Sequence, residues 1–324
     1  MEIYLIGLAV ALVGGLLMSR VSRLLHLPAV TAYLVAGLLL GPFFLGRLNV
    51  PGLGFNTLDE VNVLSIVSQT ALGFIAFAMG NEFRLSQLRT IGSRAIIIGI
   101  LQAVITTVVV DVVLLLLHLF FPHIISVPCA ITLGAIAAAT APAATLMVVR
   151  QYKADGPMTR LLMLVVALDD AVGLLLFSVS FGIATALSNG QVSVLAVVVE
   201  PIVEILLSVG LGSLMGLLLH WVERFFHSRS KRMSLSVAFV MLTVGLSMLE
   251  FQIGPVHCGF SLLLVCMMTG TIFCNVCPTS EELMERVDGW TSPLNILFFV
   301  ISGAELDLNV LSQPVTLIVG IIYI

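Results

Sequence analysis

Two adjacent carboxylates, Asp169 and Asp170, stand inside the apolar run LLMLVVALDDAVGLLLF. About nine residues separate Asp169 from Arg160, so a helix would carry the pair about 13 Å inward, close to the midplane of a bilayer. Placing each acid at that depth costs about 2.5–3.5 kcal/mol, which packing does not return. A carboxylate there holds a proton or a small cation rather than standing bare, and competition of the two for one site is exchange chemistry. Neighbouring helical residues point about 100° apart, so the two acids need different partners. One would face the water-filled path as the ion and proton site. The other would turn into the protein towards a cation such as a membrane lysine, or be held protonated; no lysine lies within the first ten apolar runs.

The preceding apolar run, CAITLGAIAAATAPAATLMVVR, carries Thr140, Ala141 and Pro142 in its middle. Pro142 removes a backbone donor and disfavours helix at Ala141, which predicts an interrupted helix. Interrupted backbone at membrane depth is tolerated where it lines a cavity or is buried in protein. Freed carbonyls and the Thr140 hydroxyl are oxygen ligands for a cation, so sodium or another monovalent cation is expected at Asp170, Asp169 and Thr140.

These residues require a membrane scaffold. The 324 residues are 59% hydrophobic and 10% charged, with a mean hydropathy of +1.16, outside the range of soluble domains. Apolar runs at 3–19, 29–46, 58–80, 94–119, 128–150, 159–186, 194–222, 234–250, 255–275 and 291–304 predict ten spans. The first run has no basic segment before it and no cleavage site after it, so it reads as a retained helix. An eleventh begins at Pro314 and covers only about 16 Å by Ile324, so the chain is expected to be a fragment. Cys129, Cys258, Cys266, Cys274 and Cys277 are odd in number and lie in or beside apolar runs, which argues against a disulfide framework. Cys274 and Cys277 read as small apolar residues at a helix end rather than a metal pair.

Of the 14 Lys and Arg residues, only Arg47 falls in an even-numbered loop. The positive-inside rule then puts the amino terminus outside and the odd-numbered loops in the cytoplasm of a multi-pass cell-membrane protein. The third span ends in IAFAMGNEFRLSQL and the tenth in LFFVISGAELDLNVL, both with Gly and Glu where the span meets its loop. Their offset of seven spans inverts direction, as in the inverted repeats of transporters. Asp111, Glu200, Glu204 and His257 read as rim or locally bonded polar residues, and Gln69 and Gln102 as interhelical hydrogen-bond partners.

LPAVTAYLVAGLLLGP in the second span, the Gly and Glu closing the third, ATAPAATLMVV in the fifth and ALDDA in the sixth together resemble the monovalent cation:proton antiporter family two. The resemblance implies an all-α polytopic protein of about thirteen helices, with the inverted-repeat sodium/proton antiporter fold and a broken helix five, here truncated in helix eleven. It implies a homodimer, with Asp170 as main ion and proton carrier, Asp169 as its salt-bridging neighbour, and Thr140, Ala141 and Pro142 at a crossing of broken helices. The membrane lysine and second broken helix of that pattern fall beyond Ile324. Adjacent Asp residues go in that family with electrogenic sodium/proton exchange. The whole of 1–324 is expected to be one transport domain. Residues 1–80 and 234–305 would be its dimerisation scaffold, 94–186 its ion-transport core, 194–222 a linker helix and 314–324 a partial core helix.

The expected function is therefore alternating-access exchange of a monovalent cation, sodium first and lithium or potassium after it, for protons. Potassium/proton antiport and sodium-coupled symport of an organic solute are the alternatives, the second weakened by the Ala, Val and Leu lining of spans five and six. An enzyme is not expected, because two catalytic aspartates must face one water and neighbours on a helix diverge. No cofactor beyond the transported ions is expected, and the partners are the lipid bilayer and a second copy, not nucleic acid.

Overall fold

In the computed structural model the described residues are 2–25, 27–48, 50, 54–140, 142–189, 200–249, 251–253, 256–309 and 314–323. The helices are α1 (Glu2–Leu24), α2 (Ala29–Leu40), α3 (Leu58–Val63), α4 (Ser65–Met79), α5 (Leu85–Phe120), α6 (Val127–Ala138) and α7 (Pro142–Gln151). They continue as α8 (Pro157–Asn189), α9 (Glu200–Glu223), α10 (Arg229–Ser247), α11 (Leu262–Val276), α12 (Ser280–Ala304) and α13 (Pro314–Tyr323). Among the described residues, four helical stretches, 4–24, 29–48, 93–120 and 202–223, are long and apolar enough to cross a bilayer unaided, and shorter apolar helices fill in between them.

Several boundaries differ from those read off apolar runs. The third span divides into α3 and α4 at Leu64, whose ψ of −1° leaves the helical ladder. At 36 residues, about 54 Å, α5 exceeds a hydrocarbon core, so its first turns lie beyond the apolar stretch that starts at Ser93. The tenth span extends back to Ser280 through Glu281, Glu282 and Arg286, a charged stretch that an apolar-run criterion excludes. The ninth does not start at 255. Strands β1 (Phe251–Ile253) and β2 (Val256–Cys258) pair antiparallel with Gln252 opposite His257, and helix starts only at Leu262. The Ser261 hydroxyl sets that start by accepting from the Leu264 amide at 3.4 Å. Among the described residues this ladder is the local exception to a helical architecture.

Two groups of helices are visible in the packing. In the first, α1, α2, α4, α10, α11 and α12 pack on one another, and α9 lies along α11. Their shared core includes Phe74, Phe77, Phe273, Val300 and Ile301. Lipid tails are as apolar as leucine, so small residues and close backbone approach hold such helices together. Gly37 of α2 lies against the Val300 carbonyl and Ala304 of α12, Gly303 of α12 lies against the Leu34 carbonyl, and Gly80 and Gly270 meet between α4 and α11. In the second group α5, α6 and α8 pack pairwise. Their buried clusters are small: Ala95, Leu164 and Val165, and Leu114, Ile125 and Ala130.

Gly37→Ala should therefore lower the thermal midpoint of the detergent-solubilised protein, because its Cβ would overlap the Val300 carbonyl and α2 would have to part from α12. Overpacking of this kind costs about 1–3 kcal/mol. Gly245→Ala on α10, whose Cβ would meet nothing within 4 Å, is the control. Equal midpoints for the two variants would show that α2 and α12 are not in backbone contact.

Candidate functional site

The interrupted helix originates in its own sequence. α6 opens on Ser126, whose hydroxyl accepts from the Cys129 amide at 3.3 Å, with Pro128 in the first turn. It stops after Ala138, where Ala139 takes an extended conformation at φ −72° and ψ 134°. Helix resumes as α7 at Pro142, whose fixed φ and missing amide suit a first helical position. Ala139 and Thr140 are therefore outside any helix; Ala141 and the side chain of Pro142 lie outside the described residues.

α8 packs on this break. Gly173 faces Ala139, so close that an added Cβ would lie 3.8 Å from its Cα. Asp169 is one turn earlier on the same face and is fully buried. From α5, the Gln102 amide donates to Asp169 Oδ2 at 3.1 Å. On the other side Thr140 approaches the carboxylate closely enough to interact. Neither Asp169 Oδ1 nor Thr140 Oγ1 has hydrogen-bond geometry to any partner among the described residues. Two buried oxygens beside extended backbone thus retain lone pairs, a donor set suited to a hard cation or a proton.

The structure places Asp169 and Thr140 close to one another. Asp170 is in the same helix, but its side chain lies outside the described residues. Gln102 has the interhelical role expected of it, now with Asp169 as the named partner. Asp111, read from sequence as a rim or locally bonded residue, is half-buried and leans its carboxylate on Gly134 of α6. Its Oδ1 and the Thr107 hydroxyl are both buried without a hydrogen-bond partner among the described residues. Thr107 went unnoticed in the sequence; its spacing of four from Asp111, which puts both on one face of α5, was the available signal. Among the described residues, four of the seven buried polar side-chain atoms without a hydrogen-bond partner (on Thr107, Asp111, Thr140 and Asp169) belong to α5, α8 and the break between α6 and α7. Unsatisfied buried oxygen is thus concentrated in the smaller helix group.

A cavity of about 340 Å³ opens where α7 meets the larger group, lined by Ser19, Arg23, Tyr33, Arg150, Asp288 and Asn295 among others. α7 is fastened there. Arg150 pairs with Asp288 of α12, both about a third exposed, and Gln151 Oε1 accepts from the Ala29 amide at the start of α2 at 2.7 Å.

Comparison with known proteins matches residues 8–324 to the family described as sodium/hydrogen exchanger, transmembrane. Two solved structures of the sodium proton antiporter MjNhaP1 from Methanocaldococcus jannaschii share the fold. One, at pH 8, has a TM-score of 0.61 and 20% identity over 94% of this chain and 71% of that one. The other, from electron microscopy, has a TM-score of 0.69 and 19% identity over 93% of this chain and 69% of that one. A curated relative, K(+) efflux antiporter 5 of Arabidopsis thaliana, is 30% identical over 94 residues, a segment spanning 29% of this chain and 14% of the relative.

Proposed function

Since the chain belongs to the sodium/hydrogen exchanger family, with a helical fold and family typical of membrane transporters, we propose that it exchanges a monovalent cation for protons by alternating access. The observation that carries this reading is the fully buried Asp169, which Thr140 approaches at the interruption between α6 and α7, with Asp169 Oδ1 and Thr140 Oγ1 both lacking a hydrogen-bond partner among the described residues. A buried acid with spare lone pairs beside extended backbone binds a partly dehydrated cation in one state and a proton in the other.

In this mechanism Asp170 is the main carrier of cation and proton and Asp169 its neighbour. Thr140 supplies a hydroxyl oxygen, and Ala141 and Pro142 set the interruption that frees backbone carbonyls. Gln102 holds the Asp169 carboxylate in place by donating to its other oxygen. The units proposed are 1–80 and 234–305 as a fixed scaffold, 94–186 as the ion-carrying core and 194–222 as the connection between them, with 314–324 part of a further core helix. The close backbone packing of α2, α4, α11 and α12 supports a rigid scaffold, and the pairwise packing of α5, α6 and α8 supports a core that meets it through Met163 and Val166 of α8. A homodimer in the cell membrane, with the amino terminus outside and the odd-numbered loops cytoplasmic, completes the proposal.

Sodium is the proposed cation, from the Asp-Asp pair and from the solved antiporter whose fold the chain shares. Potassium is the alternative, favoured by the plant potassium efflux antiporter matched over part of the chain. Vesicles containing the protein and holding an inward-acid pH gradient distinguish the two. Added sodium should collapse the gradient at lower concentration than potassium does. A gradient unaffected by sodium, lithium and potassium alike would refute cation:proton exchange.

A further inference from the structure

At the far end of α9, His220, Glu223 and Cys277 come together outside the carboxylate site. All three are buried, and each offers a ligand atom within 4.8 Å of the others. Helix geometry accounts for the grouping. His220 and Glu223 are three residues apart and share a face of α9. Cys277 caps the carboxyl end of α11 in an extended conformation, at φ −91° and ψ 119°, where the chain turns towards α12. α9 and α11 are held in register by close approaches at Gly212 and Gly216 and by the Thr269 hydroxyl, which donates to the Gly212 carbonyl at 3.2 Å.

The neighbours of each donor decide what the cluster can hold. Glu223 Oε1 takes Arg232 Nε at 3.0 Å and the Thr279 hydroxyl at 3.1 Å. Its Oε2 meets the Cys277 thiol at 3.4 Å. His220 Nε2 lies 2.9 Å from Arg224 Nη2, whereas Nδ1 is buried with no hydrogen-bond partner among the described residues. An orphaned imidazole nitrogen, a carboxylate oxygen met by a thiol, and the thiol itself make an N, O and S donor set. Cys274, the other member of the C-x-x-C spacing, is engaged elsewhere, its sulfur on the Thr271 and Gly80 carbonyls at 3.2 and 3.5 Å.

We propose that His220, Glu223 and Cys277 bind a borderline-soft divalent transition-metal ion of the zinc class, which ties the end of α9 to the junction of α11 and α12. Imidazole, carboxylate and thiolate are the ligands such ions select, with water completing a tetrahedron. Bond lengths of about 2.0–2.3 Å put tetrahedral donors about 3.3–3.8 Å apart, so the cluster contracts by about 1 Å on binding. The thiol proton leaves to solvent as the Cys277 sulfur takes the metal. The imidazole carries its remaining proton on Nε2, so the exposed Arg224 swings away. Arg232 and Thr279 stay on Oε1 as outer partners of the ligating carboxylate.

Cobalt(II) added to the purified intact protein tests this by absorbance. One equivalent should produce the near-ultraviolet charge-transfer band of a cobalt–thiolate bond, lost again on adding one equivalent of zinc. Cys277→Ser should remove the band, His220→Ala should weaken cobalt binding at least about tenfold, and Cys129→Ser, at an exposed thiol, should leave it intact. Absence of the band from the unmodified protein, its survival in Cys277→Ser or its loss in Cys129→Ser would each overturn the site. The unmodified spectrum and the Cys129 variant decide the matter even where Cys277→Ser does not fold.

Discussion

Vesicles containing the Asp170→Asn variant are expected to show no cation-driven proton flux above protein-free vesicles, with the variant inserted in normal amount. An amide matches a carboxylate in size but neither releases a proton nor neutralises a bound cation, so both half-reactions fail together. Removing a charge from the middle of a span lowers the cost of insertion, so loss of flux would not reflect loss of the protein. Asp169→Asn should be less severe. It retains an oxygen for the Gln102 amide, but it takes away the charged oxygen that adjoins the Thr140 hydroxyl. The roles assigned to the two acids would be reversed if Asp169→Asn abolished flux and Asp170→Asn exchanged at the unmodified rate.

The second large effect is kinetic. If cation and proton compete for one carboxylate, lowering the pH on the cation side fills the site with protons and raises the apparent KM for the cation. Once the acid is mostly protonated, the rise is about tenfold per pH unit. The maximal rate should hold, because saturating cation displaces the proton. Initial rates over a range of cation concentrations at several pH values measure both quantities. A constant KM beside a falling maximal rate would mean that protons act at a second site, for which Asp111, half-buried with its Oδ1 covered against Gly134, is the structural candidate.

The apolar runs and the Asp pair were legible because a bilayer imposes a strong rule. A span must be apolar, and an acid within one is costly enough to stand out; Asp169 is fully buried. Pro142 likewise announced the interruption, since a missing amide acts locally. What stayed hidden depends on partners distant in sequence or on polar helices. The first turns of α5 and α12 are charged or polar, so a hydropathy criterion passes over them. Asp111 acquires significance only when α6 presents a glycine to it, which α5 alone does not reveal. Cys274 and Cys277 read as small apolar residues at a helix end, whereas folding turns the first to backbone carbonyls and brings the second to His220 and Glu223 on another helix. The Gly and Glu endings of spans three and ten were legible as a likeness, whereas the packing of α4 on α12 was not.

The interruption between α6 and α7 also has a mechanical side. α6 adheres to α5 and α8, while α7 touches α2 and α4 as well as α8 and is fastened at its foot by Arg150 on Asp288 and Gln151 on Ala29. An unbroken rod across these positions would carry every displacement of the smaller helix group straight into the larger one. The extended backbone at Ala139 interrupts that rod, and on the proposed mechanism it would serve as a hinge between α6 and the anchored α7. On that proposal the peptide units that lend oxygens to an ion would also absorb the strain of its passage, and restoring helix there would stiffen the joint and strip the ligand shell in a single change.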